Sequence, residues 1–386
     1  MKKQTIKSYV CTILAVFVLL SPINTYAIEV LPEDKFDLPV KSAVLMDYNT
    51  GTVIYKKNET EALSPASVTK IMTLLLVMEE IEKGNMTYED MITVSDYAAS
   101  MGGSQVFLEA GESMRTEDLI KSIIISSGND AAVAMAEAVA GSESDFVSRM
   151  NEKANTLGMV STKFYNATGL DDDSEYNLTS ALDIALMSRE LMHHDKIFEY
   201  STIWMDSIRD GMFGLTNTNR LIRFYDGATG LKTGSTSKAG FCISATAKRG
   251  DLHLIAVIMG AENRDIRNEC AKVLLDYGFA NYSIYNNEGG TVENIKVKCG
   301  TESEIKGIYE GCELLCGKGD EKNITIQIEC PEELLAPIKK NKEIGKVNYL
   351  LNGTVIHTSP IVTERNIKEL SYFEVLFRMF KCSLLK

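Results

Sequence analysis

Short apolar runs near the start of the folded region favour β-strands. Residues 43–48 and 52–55 flank an Asn-Thr-Gly turn at 49–51, and this pattern predicts a hairpin because Asn and Gly tolerate positive φ. Apolar residues then recur at helical spacing until a glycine ends the pattern. Ser64 is a suitable N-cap and Pro65 suits the first helical position, so we expect a helix directly after the hairpin.

Further helices and β-rich runs follow. Helical patterns occupy 116–125 and 130–140, and a short polar stretch separates them. β-Rich runs lie at 230–233, 241–247 and 252–259, followed by a helical pattern at 270–277. The order predicts an α/β (α+β) domain over residues 28–282, with a mainly antiparallel sheet flanked by helices.

From about residue 283 the pattern changes to short alternating strands. Alternation at 291–298 and 324–329 predicts two of them. An Asn-Gly pair at 352–353 lies between two β-rich runs and predicts a hairpin. We therefore expect a domain boundary near residue 283 and a small all-β domain over 283–363.

The N-terminus is typical of a secretory signal peptide. Three lysines in the first seven residues precede an apolar stretch at 10–20, a Ser-Pro break and small residues at 25–27. The apolar stretch is shorter than the ~20 residues of a membrane span. We expect residues 1–27 to be removed on export, which changes the net charge from −13 to −16 because this segment holds three Lys and no acidic residue.

The C-terminal segment, 364–386, has the pattern of an amphipathic helix. Its apolar residues fall on one helical face: Leu370, Phe373, Leu376, Phe377, Phe380 and Leu384. Charged residues occupy the other faces, so the helix is expected to lie in a membrane interface as an anchor. A helix docked on the protein's own core would show the same pattern, and this alternative stays open.

Composition excludes several classes of function. The chain has 386 residues, of which 45% are hydrophobic and 24% charged, and is therefore an ordinary folded protein with room for two domains. The acidic charge disfavours a nucleic-acid binder, which needs clustered Lys and Arg. No C-x-x-C or H-E-x-x-H motif occurs, so we expect neither a metal nor a cofactor. A disulfide could form among Cys299, Cys312, Cys316 and Cys330, without an assignable pairing.

Ser67 and Lys70 form a Ser-x-x-Lys motif at the start of the first expected helix. Residues three apart share one helical face, so a hydroxyl and an amine lie side by side. Free lysine, with a pKa of ~10.4, is protonated near pH 7 and cannot accept the serine proton. The pair can therefore work only in a desolvated pocket with a second positive group nearby. The motif alone is weak, since it also occurs elsewhere in the chain.

Two other short motifs supply the remaining chemistry. Ser127 and Asn129, in a Ser-Gly-Asn tripeptide, offer a second hydroxyl and an amide, although the same residues are common in polar turns. Lys232 and Thr233, in a Lys-Thr-Gly tripeptide, offer a cation and a hydroxyl for a carboxylate, and the glycine lets a substrate approach the strand.

The three motifs in this order resemble the active-site-serine penicillin-recognising enzymes. The flanking sequence at 45–53, 65–73 and 226–236 is similar to that of the serine-type D-alanyl-D-alanine carboxypeptidases, the low-molecular-mass penicillin-binding proteins of peptidase family S11. The similarity runs over about residues 40–282. It implies a penicillin-binding/β-lactamase-like transpeptidase domain, and extends more loosely to a small C-terminal β domain and an amphipathic membrane anchor.

The resemblance implies a separate role in the reaction for each of five residues. Ser67 would attack the carbonyl between two terminal D-alanines of a peptidoglycan stem peptide, and water would then cleave the acyl-enzyme. Lys70 would be the acylation base, and Ser127 would pass the proton to the leaving amine while Lys232 holds Lys70 neutral. Asn129 would orient the acyl amide. β-Lactam antibiotics would be covalent inhibitors.

Further residues would recognise the substrate. Thr233 and Ser235 would bind the terminal carboxylate, and the backbone N–H groups of Ser67 and Ser235 would form the oxyanion hole. Arg267 lies where relatives carry a carboxylate-side arginine, although Arg264 could serve instead. The implied location is the outer face of the bacterial cytoplasmic membrane, in the cell wall space.

Two other functions remain open from the sequence. A class A β-lactamase shares the three motifs, but it needs a suitably spaced loop glutamate and leaves the C-terminal domain unexplained. A non-catalytic penicillin-binding protein of the cell wall would capture peptide ends without turnover, although a pure binder has no need for a serine-lysine pair. A Ser-His-Asp hydrolase is disfavoured because no G-x-S-x-G motif occurs.

Overall fold

A computed structural model describes residue 31 and residues 35–171 and 176–384, with side chains of the C-terminal helix described as far as Phe380. The expected signal peptide, 1–27, lies outside the described residues. The described residues up to Ile284 form one compact unit, and those from Tyr285 onward form a second.

The first unit is built on a five-stranded antiparallel sheet. The strands described in this unit are β1 (Ser42–Asp47), β2 (Val53–Lys57), β3 (Met91–Thr93), β4 (Ser113–Arg115), β5 (Met205–Ile208), β6 (Phe213–Thr216), β7 (Ala228–Thr236), β8 (Gly240–Arg249) and β9 (Leu252–Ala261). The main sheet has the order β2-β1-β9-β8-β7, and each neighbouring pair is antiparallel. Two small antiparallel two-stranded sheets lie outside it: β3 with β4, which are far apart in sequence, and the β5-β6 hairpin. The expected mainly antiparallel sheet is confirmed.

Helices of the first unit pack around this sheet. They are α1 (Lys70–Glu82), α2 (Asp96–Ala99), α3 (Thr116–Ile124), α4 (Asn129–Ala140), α5 (Glu143–Thr156), α6 (Ala181–Met192), α7 (Ile197–Ser201), α8 (Leu221–Phe224) and α9 (Arg264–Asn281). The first nine residues of α1 are all buried, so this helix has no solvent-facing side until its last turn. Such a helix is hydrophobic nearly all round and lies in the centre of the core.

The start of the first helix differs from the sequence-based expectation. Residues Ala66–Thr69 form a 3₁₀ turn before α1, and Ser64 does not cap it. The Ser64 hydroxyl instead donates to the Asp171 carboxylate at 2.9 Å. The predicted cap is therefore wrong, because a carboxylate distant in sequence takes the hydroxyl.

Helix α9 begins at Arg264, earlier than the pattern at 270–277 indicates. The side chain of Asn263 caps it by accepting hydrogen bonds from the backbone N–H groups of Asp265 and Ile266. The buried side chains at 267 and 268 in the first part of this helix are the polar Arg267 and Asn268, so hydrophobic periodicity alone places its beginning too late.

The second unit is an all-β sheet followed by a helix. Its strands are β10 (Tyr282–Lys298), β11 (Glu304–Gly317), β12 (Ile324–Glu329), β13 (Glu333–Leu335), β14 (Glu343–Leu351) and β15 (Thr354–Thr363), in the order β12-β14-β15-β11-β10-β13. Asn352 and Gly353 take positive φ between β14 and β15, which confirms the expected hairpin. Helix α10 (Tyr372–Leu384) ends the described chain.

Cysteines in the described part of the chain are free thiols: Cys242, Cys270, Cys299, Cys312, Cys316 and Cys330. The described residues contain no helix long and apolar enough to span a membrane.

Candidate active site

A cleft of about 610 Å³ lies in the first unit where the end of β7 meets the start of the α1 region. Five of the residues singled out from the sequence line it: Ser67, Ser127, Thr233, Ser235 and Arg267. The other three, Lys70, Asn129 and Lys232, are buried and reach this group through hydrogen bonds. The fold thus brings all eight predicted site residues to one place.

Lys70 is completely buried beside Ser67. Its Nζ lies 3.1 Å from Ser67 Oγ, 2.6 Å from Asn129 Oδ1 and 2.7 Å from the carbonyl oxygen of Thr168. Asn129 and Thr168 offer oxygens that can only accept hydrogen bonds, whereas the Ser67 hydroxyl can also donate.

Burial holds the pKa of Lys70 well below its ordinary value of 10.5. The Lys232 cation lowers this pKa further, and the Asp130 carboxylate opposes both effects. The sequence argument required a desolvated pocket and a second cation, and these are the two causes that the structure supplies.

Ser127 occupies the short connection between α3 and α4 in a left-handed backbone conformation, with φ of 65°. A non-glycine residue rarely takes such a φ, and strained residues of this kind cluster at functional sites. The Nζ of Lys232 donates to Ser127 Oγ at 2.9 Å and to the Thr233 carbonyl at 2.9 Å. Burial, followed by the charge of Arg267, lowers the pKa of Lys232 to about 7.

Both ends of the Asn129 amide are engaged within the protein. Its oxygen accepts from Lys70, and its nitrogen donates to the Gly102 carbonyl at 2.7 Å. This arrangement holds Lys70 in place. The carbonyl oxygen of Ser104 also accepts from the Asn129 backbone N–H at 2.7 Å.

Gly234 allows β7 to pass against the turn that carries Ser67. A Cβ at this position would lie 2.7 Å from the Pro65 carbonyl oxygen, 2.7 Å from the Ser67 nitrogen and 2.9 Å from the Val68 nitrogen. Real Cβ atoms essentially never approach other atoms so closely. The third residue of the Lys-Thr-Gly motif is therefore glycine because the strand touches backbone here.

The carboxylate-binding candidates lie at the Arg267 end of the cleft. Arg267 is 3% exposed, and its Nε and Nη2 donate to Asn268 Oδ1 at 3.1 and 2.9 Å. Burial, followed by the charge of Arg264, lowers its pKa to about 10. Thr233 Oγ1 donates to Thr218 Oγ1 at 2.8 Å, and Arg264 lines the same cleft at its exposed rim.

Residues 29–263 match the family described as D-alanyl-D-alanine carboxypeptidase, and residues 279–369 match the C-terminal domain of penicillin-binding protein 5. The chain belongs to the D-alanyl-D-alanine carboxypeptidase family. It is 42% identical to the carboxypeptidase DacF of Bacillus subtilis over 345 residues, which cover 88% of each chain. It is 34% identical to DacC of Escherichia coli, with 86% of this chain and 84% of that protein covered. The family resemblance seen in the sequence is thereby confirmed.

Solved structures of the family show the same architecture. Penicillin-binding protein 5 of Haemophilus influenzae superposes with a TM-score of 0.76 at 28% identity, over 88% of this chain and all of that one. Penicillin-binding protein D2 of Listeria monocytogenes, solved in its ampicillin-bound form, has a TM-score of 0.56 at 28% identity, over 64% of this chain and 99% of that one. The Haemophilus structure is matched over its whole length by 88% of this chain, and together with the family match this favours the carboxypeptidase interpretation over the β-lactamase and the non-catalytic binder.

Several cleft residues of this family member carry no signal in the sequence. They are Ser104, Trp204, Thr216, Asn217, Thr218, Arg220, Phe224 and Phe241. Most lie on loops and on the β5-β6 hairpin, and no short motif marks them. Asp171 belongs to an acidic run that is typical of a solvated loop, but its carboxylate accepts from the hydroxyls of Ser64 and Thr236 beside the cleft. Among the described residues no group of His, Cys, Asp and Glu is arranged to hold a metal ion.

Proposed function

We propose that this protein is a serine-type D-alanyl-D-alanine carboxypeptidase that removes the terminal D-alanine from peptidoglycan stem peptides through an acyl-enzyme. The observation that carries the proposal is the buried contact of Lys70 with Ser67, Asn129 and Thr168. Family membership supplies the class of reaction, and this contact supplies the activated nucleophile.

In neutral Lys70 both N–H groups are used by other acceptors, so the nitrogen lone pair is left to face Ser67. A neutral amine has two N–H groups, and the two acceptor-only oxygens of Asn129 and Thr168 take both of them. The remaining lone pair faces the Ser67 hydroxyl at 3.1 Å and can accept its proton as the oxygen attacks the peptide carbonyl. The lowered pKa of Lys70 and its contact with Ser67 therefore support Lys70 as the acylation base.

Ser127 then connects the base to the leaving group. Its hydroxyl accepts from Lys232 and lies on the cleft wall, where the leaving D-alanine amine would pass. We assign it the transfer of a proton to that amine. Lys232 keeps Ser127 oriented, and its charge depresses the pKa of Lys70.

The substrate carboxylate would bind at the Arg267 end of the cleft. Thr233, Ser235 and Arg267 line that end, where the buried guanidinium of Arg267 supplies a positive charge. The close passage of Gly234 against Ser67 supports an oxyanion hole made by the Ser67 and Ser235 backbone N–H groups. β-Lactams, which bind the Listeria relative, would acylate Ser67 here.

Export and membrane attachment complete the proposal. The lysine-rich, apolar N-terminal stretch supports secretion into the cell wall space. In α10 the aromatic residues Tyr372, Phe373, Phe377 and Phe380 are between 67% and 80% exposed. A helix with such an apolar face supports binding of a membrane surface rather than docking on the protein's own core.

The decisive experiment incubates purified protein with a peptide that ends in D-Ala-D-Ala and measures free D-alanine. Release of D-alanine, covalent labelling by penicillin, and loss of both in a folded Ser67→Ala variant would support the proposal. Labelling without release would favour the non-catalytic binder, and rapid penicillin turnover would favour a β-lactamase. Labelling retained by folded Ser67→Ala would exclude Ser67 as the nucleophile.

A further inference from the structure

The segment at 102–108, here called the Asn129 loop, runs alongside the amide that holds Lys70. The carbonyls of Gly102 and Ser104 accept from the side chain and the backbone of Asn129, each at 2.7 Å. The Ser104 side chain lines the cleft. The position of this loop therefore sets the orientation of the Asn129 amide.

The buried carboxylate of Asp130 accepts hydrogen bonds from the inner side of this loop. Asp130 is 0% exposed, and its Oδ2 accepts from the backbone N–H groups of Val106 at 3.0 Å and Leu108 at 3.1 Å. Its Oδ1 accepts from Ala131 N–H at 2.9 Å. Backbone N–H groups therefore supply hydrogen bonds to both oxygens of this buried carboxylate.

Arg209 donates hydrogen bonds to the outer side of the same loop. Arg209, in the turn of the β5-β6 hairpin, donates from Nη1 to the Val106 carbonyl at 2.8 Å and from Nη2 to the Phe107 carbonyl at 2.9 Å. Its Nε also donates to Glu112 at 2.6 Å. Val106 thus donates its N–H inward to Asp130 and accepts through its carbonyl from Arg209.

The backbone at this junction is held in unusual conformations. Phe107, Arg209 and Asp210 have φ of 55°, 53° and 51°, although none of them is glycine. Non-glycine residues persist in this region only where surrounding contacts over-determine them, and they cluster at functional sites. The contacts of Arg209 thus join two segments that both hold a residue in this conformation, Phe107 in the loop and Arg209 in the hairpin turn.

We propose that Asp130 and Arg209 are positioning residues that hold the Asn129 loop from its two sides, and so keep the Asn129 amide and Lys70 aligned with Ser67. The inference rests on the proposed function, since alignment matters only if Lys70 activates Ser67. Neither residue touches substrate, and each acts through the loop.

The first test replaces Arg209 by Met and follows acylation by a fluorescent penicillin at saturating and sub-saturating concentrations. The first-order acylation constant is expected to fall at least tenfold, while the concentration for half-saturation changes little because the carboxylate-binding residues are untouched. Arg209→Lys, which can reach one of the two carbonyls, is expected to recover part of the rate. Arg115→Met is the matched control, because Arg115 pairs with Glu117 at 3.2 Å and does not touch the loop.

The second test uses Asp130→Asn, which keeps the shape and removes the charge. The charged groups that face Lys70 are Lys232, which lowers its pKa, and Asp130, which raises it; Arg267 acts on Lys232. Loss of the Asp130 charge should move the acid limb of the acylation rate to lower pH. The Asn side chain has one accepting oxygen and cannot accept from the N–H groups of Val106, Leu108 and Ala131 as the two carboxylate oxygens do, so the acylation rate at its pH optimum should also fall. A folded Asp130→Asn variant with an unchanged rate at its optimum would contradict the inference.

The two proposals fail in different ways. If the unaltered protein is neither acylated nor active, the proposed function is wrong. If the unaltered protein is acylated normally and folded Arg209→Met is acylated equally fast, the proposed function stands. The proposed positioning role of Arg209 is then wrong. Arg209 is partly exposed, with 18% of its side-chain surface accessible, so its variants remain informative even if Asp130→Asn does not fold.

Discussion

Lys232 donates a hydrogen bond to Ser127 across 105 residues of sequence, with 2.9 Å between Nζ and Oγ. The contact is buried, and it joins a strand of the central sheet to the turn between two helices. It also places a positive charge close enough to depress the pKa of Lys70. A structural hydrogen bond and the electrostatics of the base thus depend on the same ammonium group.

The pH dependence of penicillin acylation should be bell-shaped. Acylation needs neutral Lys70, whose pKa lies well below 10.5, and charged Lys232, whose pKa is lowered to about 7. The second-order rate constant, which reports on the free enzyme, should therefore fall at low pH and again as pH rises through about 7. The two lysines interact, so the apparent pKa values of the two limbs describe the Lys70–Lys232 pair rather than either residue alone.

The matched variant for this pH profile is Lys232→Arg. Its guanidinium stays protonated, so the alkaline limb should move to higher pH even if the overall rate drops. An alkaline limb that stays in place would show that another group is responsible. Stopped-flow measurement of acylation between pH 5 and pH 10, on the order of ten points, would decide this.

Lys232→Met should raise the stability of the first unit at pH 7. The pKa of Lys232 is about 7 in the folded protein and 10.5 as an ordinary lysine, so the unfolded state binds more protons between these values. The free energy of unfolding of the unaltered protein therefore rises with pH in this window. Each tenfold loss of proton affinity on folding costs about 1.4 kcal/mol, so the gain from Lys232→Met should be a few kcal/mol at pH 7 and should shrink toward pH 10.

The measurement for this prediction is urea unfolding followed at several pH values. Lys248→Met serves as control, because Lys248 is exposed on the neighbouring strand β8. A Lys232→Met protein that is less stable than the unaltered one at pH 7 would show that the hydrogen bonds of Lys232 outweigh its burial cost.

Gly234→Ala should slow acylation by displacing β7 from the Ser67 turn. The added methyl would meet three backbone atoms within 3 Å, and backbone cannot move aside as a flexible side chain can. Overpacking of this kind costs about 1–3 kcal/mol, and acylation should fall by at least about tenfold because the oxyanion donors separate. The control is Gly214→Ala in β6, where a Cβ meets nothing within 4 Å. Equal acylation rates in the two variants would contradict the expectation.

Removal of residues 370–386 should release the protein from membranes without loss of D-alanine release. The apolar face of α10 is exposed, and the cleft lies wholly within the first unit. Binding to anionic lipid vesicles, measured by co-sedimentation, should disappear in the truncated protein and weaken strongly when Phe373, Phe377 and Phe380 are changed to Ser. Vesicle binding that persists after truncation would show that the helix is not the anchor.

Local relationships could be predicted from the sequence because short-range geometry determines them. Ser67 and Lys70 are three residues apart, so a helical turn places the hydroxyl and the amine side by side in almost any context. The hairpin at Asn352 and Gly353 follows from residues that tolerate positive φ. The three motifs, in their order along the chain, likewise indicate the family.

Tertiary structure alone decided the surroundings of these residues. Lys70 and Thr168, whose carbonyl it contacts, are 98 residues apart in the sequence. Arg209 and Val106, which share a hydrogen bond, are 103 residues apart. Neither contact has a sequence signal, because both are to backbone carbonyls and every residue carries one. The pKa of Lys70 depends on how completely the fold excludes water and on where Lys232 comes to lie. Sequence therefore determined which chemical groups are present, whereas long-range packing determined their solvation and distances, and with them the proton that each group can hold.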